Sequence, residues 1–173
     1  MAVHDQTPIR QATLSVLVEN RAGVLSHVAG LFSARGFNID SLAVGETEDP
    51  TMSRMTIIAQ GDERTLEQIK KQLNKLIDVI KILDLTHEEF IDRELMLVKL
   101  RRSAPNDKAL KDILKKYHVR VADENSKVAT LECSETRENS RKLFALFKEM
   151  GIEEIARTGT VALSKNLKEK KNG

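Results

Sequence analysis

The chain has 173 residues, enough for one ordinary domain or two small ones, and 40% of them are hydrophobic. Lysine and arginine number 28 against 26 aspartate and glutamate, and this near balance of +2 predicts no strong pull toward nucleic acid or a membrane surface. Aromatics at 3% leave no stacking platform for bases, and a single cysteine, Cys133, excludes an internal disulfide and points to a reducing compartment.

Residues 1–11 contain His4, Asp5, Gln6 and Pro8 and no apolar run of a signal segment, and read as a flexible arm. No stretch approaches the roughly 20 apolar residues of a membrane span. A cytoplasmic protein is expected. In residues 12–19, Leu14, Val16 and Val18 alternate with neighbours of mixed polarity, which predicts a strand. After Asn20-Arg21-Ala22-Gly23 the period changes: Val24, Leu25, Val28, Leu31 and Phe32 share one helical face, and Gly36 is a stop. Residues 37–44 return to strand character, 46–51 form a turn around Asp49-Pro50, and 52–60, with Met55, Ile57 and Ile58, complete a hairpin.

Asp62 is placed to cap the next helix, whose apolar stripe is Leu66, Ile69, Leu73 and Leu76, with Glu67 and Lys71 as an i, i+4 pair. Residues 79–85 close the unit as a strand. The order is βαββαβ, the split pattern of ferredoxin-like folds. A charged stretch at 86–93 is the boundary, and the order then repeats. Residues 95–100 form a strand, and 107–117 a helix with Leu110, Ile113, Leu114 and Tyr117 inward. A hairpin of 119–122 and 128–133 turns at Glu124-Asn125-Ser126. A helix over 136–150 presents Leu143, Phe144, Leu146, Phe147 and Met150 and stops at Gly151, and 152–163 is the last strand. The expected class is α+β: two tandem ferredoxin-like domains at 12–86 and 92–164, and a basic tail at 165–173 carrying four lysines.

Catalytic chemistry finds little support. His4, His27, His87 and His118 are scattered, and none shares metal-ligand spacing with Cys133. Cys133 reads as a small buried residue. There is no Gly-rich phosphate loop, Ser26 and Ser53 lack an identifiable base, and Glu46, Glu48 and Asp49 sit in a turn.

The first strand-to-helix junction admits two readings. In one, Asn20 caps or turns, Gly23 supplies flexibility, and Val24 and Leu25 enter the core. In the other, the N–H groups around Gly23, Val24 and Leu25 hold a carboxylate at the positive end of the helix, and Gly23 admits close approach. The Asn20 amide then offers an oxygen to an ammonium and an N–H to a carboxylate, which suits a free amino acid. Asn38, with both hydrogen-bonding polarities, and Ile39, with apolar contact, form a second candidate; a plain turn into a strand is its alternative.

The blocks Leu14-Ser-Val-Leu-Val-Glu-Asn20, Arg21-Ala-Gly-Val-Leu-Ser26 and Gly30-Leu-Phe-Ser-Ala-Arg-Gly-Phe-Asn-Ile39 resemble the opening of an ACT domain. Asp49-Pro-Thr-Met-Ser-Arg-Met-Thr-Ile57 and Leu66-Glu-Gln-Ile-Lys-Lys-Gln-Leu-Asn-Lys-Leu-Ile-Asp-Val79 narrow the resemblance to the regulatory subunits of acetolactate synthase. Arg93-Glu-Leu-Met-Leu-Val-Lys99 and Arg157-Thr-Gly-Thr-Val-Ala-Leu163 are similar to the opening and close of that family's second domain.

The resemblance implies that 12–86 is an ACT domain for amino-acid sensing and dimerisation, pairing side by side in a homodimer. Valine or a related branched-chain amino acid would sit between protomers, held by Asn20, Gly23, Val24 and Leu25 of one and Asn38 and Ile39 of the other, with Val18 a weaker addition. It implies a catalytic partner subunit that carries thiamine diphosphate, Mg2+ and FAD, is activated by this chain and is inhibited through it. No cofactor is expected in this chain, and neither nucleic acid nor membrane as a partner. Other readings are an ACT-type sensor for a different enzyme, a catalytic protein with an unrecognised site, and an RNA-binding module of the same fold. The last needs aromatics on central strands, and residues 14–19 and 52–60 have none.

Overall fold

The computed structural model describes residues 9–166. The arm expected at 1–11 and the tail expected at 165–173 therefore lie mostly outside the described residues, His4 included. Contacts divide the chain into two compact units: the stretch up to Phe90 together with that from Val161 onward, and Ile91–Thr160.

The first unit contains β1 (Arg10–Glu19), α1 (Val24–Ala34), β2 (Ile39–Glu46), β3 (Met52–Gly61), α2 (Glu63–Leu73) and β4 (Val79–Asp84). β1 starts two residues earlier than its alternation suggested, because Arg10 and Gln11 continue the ladder opposite Gly61 and Gln60. The sheet order is β2-β3-β1-β4, with β1 antiparallel to both β3 and β4. Alternation puts Ala12, Leu14, Val16 and Val18 on one face, where they meet Val24, Val28 and Phe32 of α1 and Ile69 and Leu73 of α2.

The C-terminal end of α1 is set by a glycine and an aromatic contact. At its C-terminus Gly36 takes φ 66, the Phe37 amide donates to the Phe32 carbonyl (2.9 Å) and the Gly36 amide to Ser33 (3.1 Å). That is a Schellman motif, and its apolar contact is Phe37 edge-on to Phe32 at 6.1 Å between ring centres. α2 begins as expected, with Asp62 accepting from the Thr65 amide at 2.7 Å. It ends sooner than the stripe implied: Asn74 is the C-cap, and Leu76 packs on the core from the following turn. The Glu67–Lys71 pair is also corrected, since Glu67 pairs with Lys70, which also reaches Asp84 at 2.8 Å. Lys70 stands three positions after Glu67, and its contact with Asp84 puts it on the β4 side of the helix.

The second unit is built from β5 (Phe90–Arg101), α3 (Ala104–Lys116), β6 (Val119–Glu124), β7 (Val128–Glu135), α4 (Arg137–Met150) and β8 (Ile152–Ser164), in sheet order β6-β7-β5-β8. α3 begins three residues before expectation, because Ser103 caps it through the Asn106 amide and Pro105 fits its first turn. Thr136 caps α4 through Asn139, and Gly151 at φ 87 ends it. Met96, Val98, Leu100, Leu131, Cys133, Leu143 and Phe147 form the core. The buried carboxylate of Glu94 is met by Arg157 Nε at 2.6 Å. The last residues of β8 group with the first unit, where the Ala162 amide donates to Thr56 Oγ1 at 3.1 Å.

The α4 stripe is narrower than the sequence suggested: Leu143 and Phe147 are fully buried, but Leu146 is 38% exposed. Phe147→Ala should cost about 3–5 kcal/mol in urea unfolding of the full chain, whereas Leu146→Ala one residue earlier should cost less than about 1 kcal/mol. Equal losses would contradict this placement of the α4 core face.

Candidate functional site

At the end of β1 the Asn20 amide N–H donates to the Thr51 carbonyl at 2.7 Å. Its side chain is engaged as well: Nδ2 donates to Glu46 Oε2 (3.1 Å) and to the Pro50 carbonyl (2.9 Å), and Oδ1 accepts from Ser53 Oγ (3.0 Å). A side-chain amide has two N–H groups and an oxygen that accepts twice. Both donors are spent, so the expectation that Asn20 offers a ligand both polarities is corrected. One acceptor position on Oδ1 remains, and the rest of the side chain ties the turn between β2 and β3 to the end of β1.

Gly23 is the N-cap of α1 at φ 90 and ψ −19, in the left-handed region, and no side chain caps the helix there. By contrast α2, α3 and α4 are capped by Asp62, Ser103 and Thr136. The Val24 amide reaches the Arg21 carbonyl at a long 3.4 Å, and helix geometry gives Leu25 and Ser26 no intrahelical acceptor. The first turn holds no acidic residue. Val24 is buried, so only its backbone faces this end. Leu25, read on one alternative as a core residue, is 44% exposed. Val18 is fully buried and belongs to the core.

Three residues that the junction pattern left without a role gather here. The carboxylate of Asp78, in the turn before β4, is 2% exposed. Its Oδ1 accepts from Arg21 Nε at 3.0 Å and from the second arginine nitrogen, and its Oδ2 lies 2.7 Å from His27 Nδ1. Arg21 Nε also lies 2.8 Å from Glu19. The hydrogen bond from His27, and then that from Arg21, hold the Asp78 carboxyl below its ordinary value of 3.8, against the opposing effect of burial. The one signal in the sequence was a lone acid between Ile77 and Val79, where an apolar run needs no charge.

Asn38 and Ile39 lie elsewhere. Asn38 Nδ2 donates to Asp40 Oδ1 at 3.1 Å, and Ile39 is half-buried against the first core. Both follow the C-terminal cap of α1, whose 11 residues span roughly 16 Å. Within one chain, then, Asn20, Gly23, Val24 and Leu25 come together, and Asn38 and Ile39 stand at the far end of the helix.

A cavity of about 370 Å³ is lined by Ser15, Leu17, Asp49, Arg54 and Lys81 among others, and one of about 410 Å³ lies between α3 and α4; none of the six expected residues lines either. Among the described residues no group of three or more His, Cys, Asp and Glu is placed to hold a metal ion, and no helix is long and apolar enough to cross a membrane. Cys133 is fully buried in β7, and burial, with Glu135 and Glu132 nearby, pushes its thiol up to about 12.

Comparison with known proteins accounts for both units. Residues 14–81 match the family model described as the AHAS small subunit-like ACT domain, and residues 93–166 match that of the small subunit of acetolactate synthase. The βαββαβ unit with its open helix start is thus an ACT domain, followed by a second ferredoxin-like domain. A probable acetolactate synthase small subunit of Methanothermobacter thermautotrophicus is 46% identical over 88% of this chain and 91% of its own length. The small subunit of Mycolicibacterium smegmatis is 45% identical over 88% and 90%. The crystal structure of the small subunit from Thermotoga maritima superposes with a TM-score of 0.81 at 36% identity, covering 91% of this chain and 99% of that one. The chain belongs to the acetolactate synthase small subunits.

Two outcomes test this description. Because folding lowers the Asp78 pKa, its contribution to stability is present above 3.8 and is lost as pH falls from there through the lowered folded value. Asp78→Asn should therefore destabilise the chain at pH 7, with the gap from wild type closing toward pH 3 in urea unfolding; a pH-independent gap would show that the carboxylate's charge is not what matters. Cys133 should resist a thiol reagent at pH 8 in the folded chain and react fully in urea, and equal rates would place the thiol at the surface.

Proposed function

We propose that this chain is the regulatory subunit that binds the catalytic subunit of acetolactate synthase, raises its activity, and makes it sensitive to valine or a related branched-chain amino acid. Thiamine diphosphate, Mg2+ and FAD belong to that partner, and the complex works in the cytoplasm. The observation that carries the sensing role is the start of α1: an uncapped helix N-terminus at a left-handed glycine in a chain of this family.

The ligand carboxylate is held by the first amides of α1, at the positive end of the helix. Its ammonium donates to the remaining acceptor position on Asn20 Oδ1, and its branched side chain packs on exposed Leu25. Charge-assisted hydrogen bonds of about 1.5–3 kcal/mol each, and about 1.5–3 kcal/mol for burying an isopropyl group, suffice for affinity in the micromolar range after binding costs. Asn38 and Ile39 complete the pocket from a second protomer. The roughly 16 Å between them and Gly23 within a chain supports that reading, as does the edge position of β2, which follows directly from Asn38. Inhibition requires that valine bind the inhibited conformation more tightly than the active one, since equal affinity shifts nothing.

Acetolactate formation by the cognate catalytic subunit should rise on adding this chain and fall again on adding valine. Asn20→Ala and Gly23→Asp should keep the rise and lose the fall. Inhibition curves like wild type from both variants would remove the site assignment, and no change on mixing would move the role to a different enzyme.

A further inference from the structure

Val16 and Val18 of β1 point to the helices of the first unit, so Ser15 and Leu17 point to the other face of its sheet. Across the ladders Leu17 stands between Arg54 of β3 and Lys81 of β4, and Ser15 between Thr56 and Leu83. The cavity of about 370 Å³ opens over these rows, and every residue that lines it belongs to the first unit. That is the size of a small-metabolite pocket.

The floor of the cavity gathers donors. The Ser15 side chain, in a residue 2% exposed, accepts from Arg54 Nη1 at 3.2 Å, and its own O–H has no acceptor among the described residues. Neither the ammonium of Lys81 nor the rest of the Arg54 guanidinium has a partner among them. Leu17, Met52 and Leu83 add apolar wall. Negative charge comes from the turn between β2 and β3, which brings Glu48 and Asp49 to the cavity. Asp49 Oδ1 accepts from the Thr51 amide (2.9 Å) and hydroxyl (2.6 Å), with Oδ2 left over. Among the described residues no ion pair joins Arg54 or Lys81 to Glu48 or Asp49.

Two cations and two carboxylates that line one cavity without pairing match a ligand that carries both charges. A ligand with negative charge alone, such as phosphate or a dicarboxylate, would meet Glu48 and Asp49. We infer that this face of the first sheet holds a second binding site, separate from the α1 start, for a free aliphatic α-amino acid. Its carboxylate lies against Ser15, Arg54 and Lys81, its ammonium against Asp49 and Glu48, and its side chain on Leu17 and Leu83. None of the six residues assigned to the α1 site lines this cavity, so each site keeps its own contacts.

The test is an NMR titration of L-leucine into the full chain, read at the methyl groups of Leu17 and Leu83, which should shift saturably. Arg54→Met, and Lys81→Met at an exposed residue without a partner, should each weaken that response about tenfold or more, and Asn20→Ala should leave it unchanged. Isocaproate, which is leucine without the ammonium, should bind about tenfold more weakly, and Asp49→Asn should weaken leucine without weakening isocaproate. Methyl groups that stay still, leucine binding of wild-type strength in both Arg54→Met and Lys81→Met, or isocaproate binding as tight as leucine would each overturn the inference. A response lost in Asn20→Ala and kept in Lys81→Met would assign it to the α1 start, ending this inference and leaving the earlier reading in force.

Discussion

Gly23 holds φ 90 where the chain leaves β1, the strand at the centre of the first sheet, and turns into α1. A residue with a Cβ reaches that region only at a cost of roughly 1–2 kcal/mol, so glycine makes the junction this tight. The turn is bounded on both sides by fixed structure. Val18 and Val24 are locked into the same core, and Asn20 is tied to the turn between β2 and β3. The helix start is therefore uncapped and set between the core and that turn, with Val24 buried beneath it and Leu25 left exposed beside it. The amino-acid site proposed at this junction would draw on such a frame.

The two units share an architecture and divide its uses. In the second, Ser103 and Thr136 each cap a helix by accepting from its third amide, that of Asn106 and that of Asn139, whereas the start of α1 has no side-chain cap. Its buried carboxylates are likewise committed to structure: Glu135 accepts from the His118 amide at 2.7 Å and from Asn139 Nδ2 at 2.9 Å, and Glu94 is paired with Arg157. The amino-acid site proposed above draws on an uncapped helix start, which the second unit's helices do not offer. Asp78 is a buried carboxylate of the first unit, and like Glu135 with His118 it is met by side chains that reach solvent, Arg21 and His27.

In the function proposed above, the useful property of the α1 start for regulation is that it would be only part of a pocket. A ligand that needs Asn38 and Ile39 from beyond the chain's own reach binds according to how two protomers are arranged, and differential affinity between arrangements is what an allosteric effector requires.

Local chemistry by itself determined most of the fold. The alternation of Leu14, Val16 and Val18, the spacing of Val24, Val28 and Phe32, the stop at Gly36 and the cap at Asp62 each depend on residues a few positions apart, and each is where the chain pattern places it. The six expected site residues were chosen on the same local grounds, as two short segments flanking one helix. What tertiary structure alone decided are matters of long-range partnership. Asn20 spends its donors on Glu46 and Pro50, 26 and 30 residues away. His27 and Arg21 meet Asp78 across 51 and 57 residues. Leu146 stays at the surface and Leu76 leaves the helix, because the neighbours that cover a side chain come from other elements. A periodic pattern states which face is apolar; how wide that face is, and which polar groups are already spoken for, depends on what packs against it.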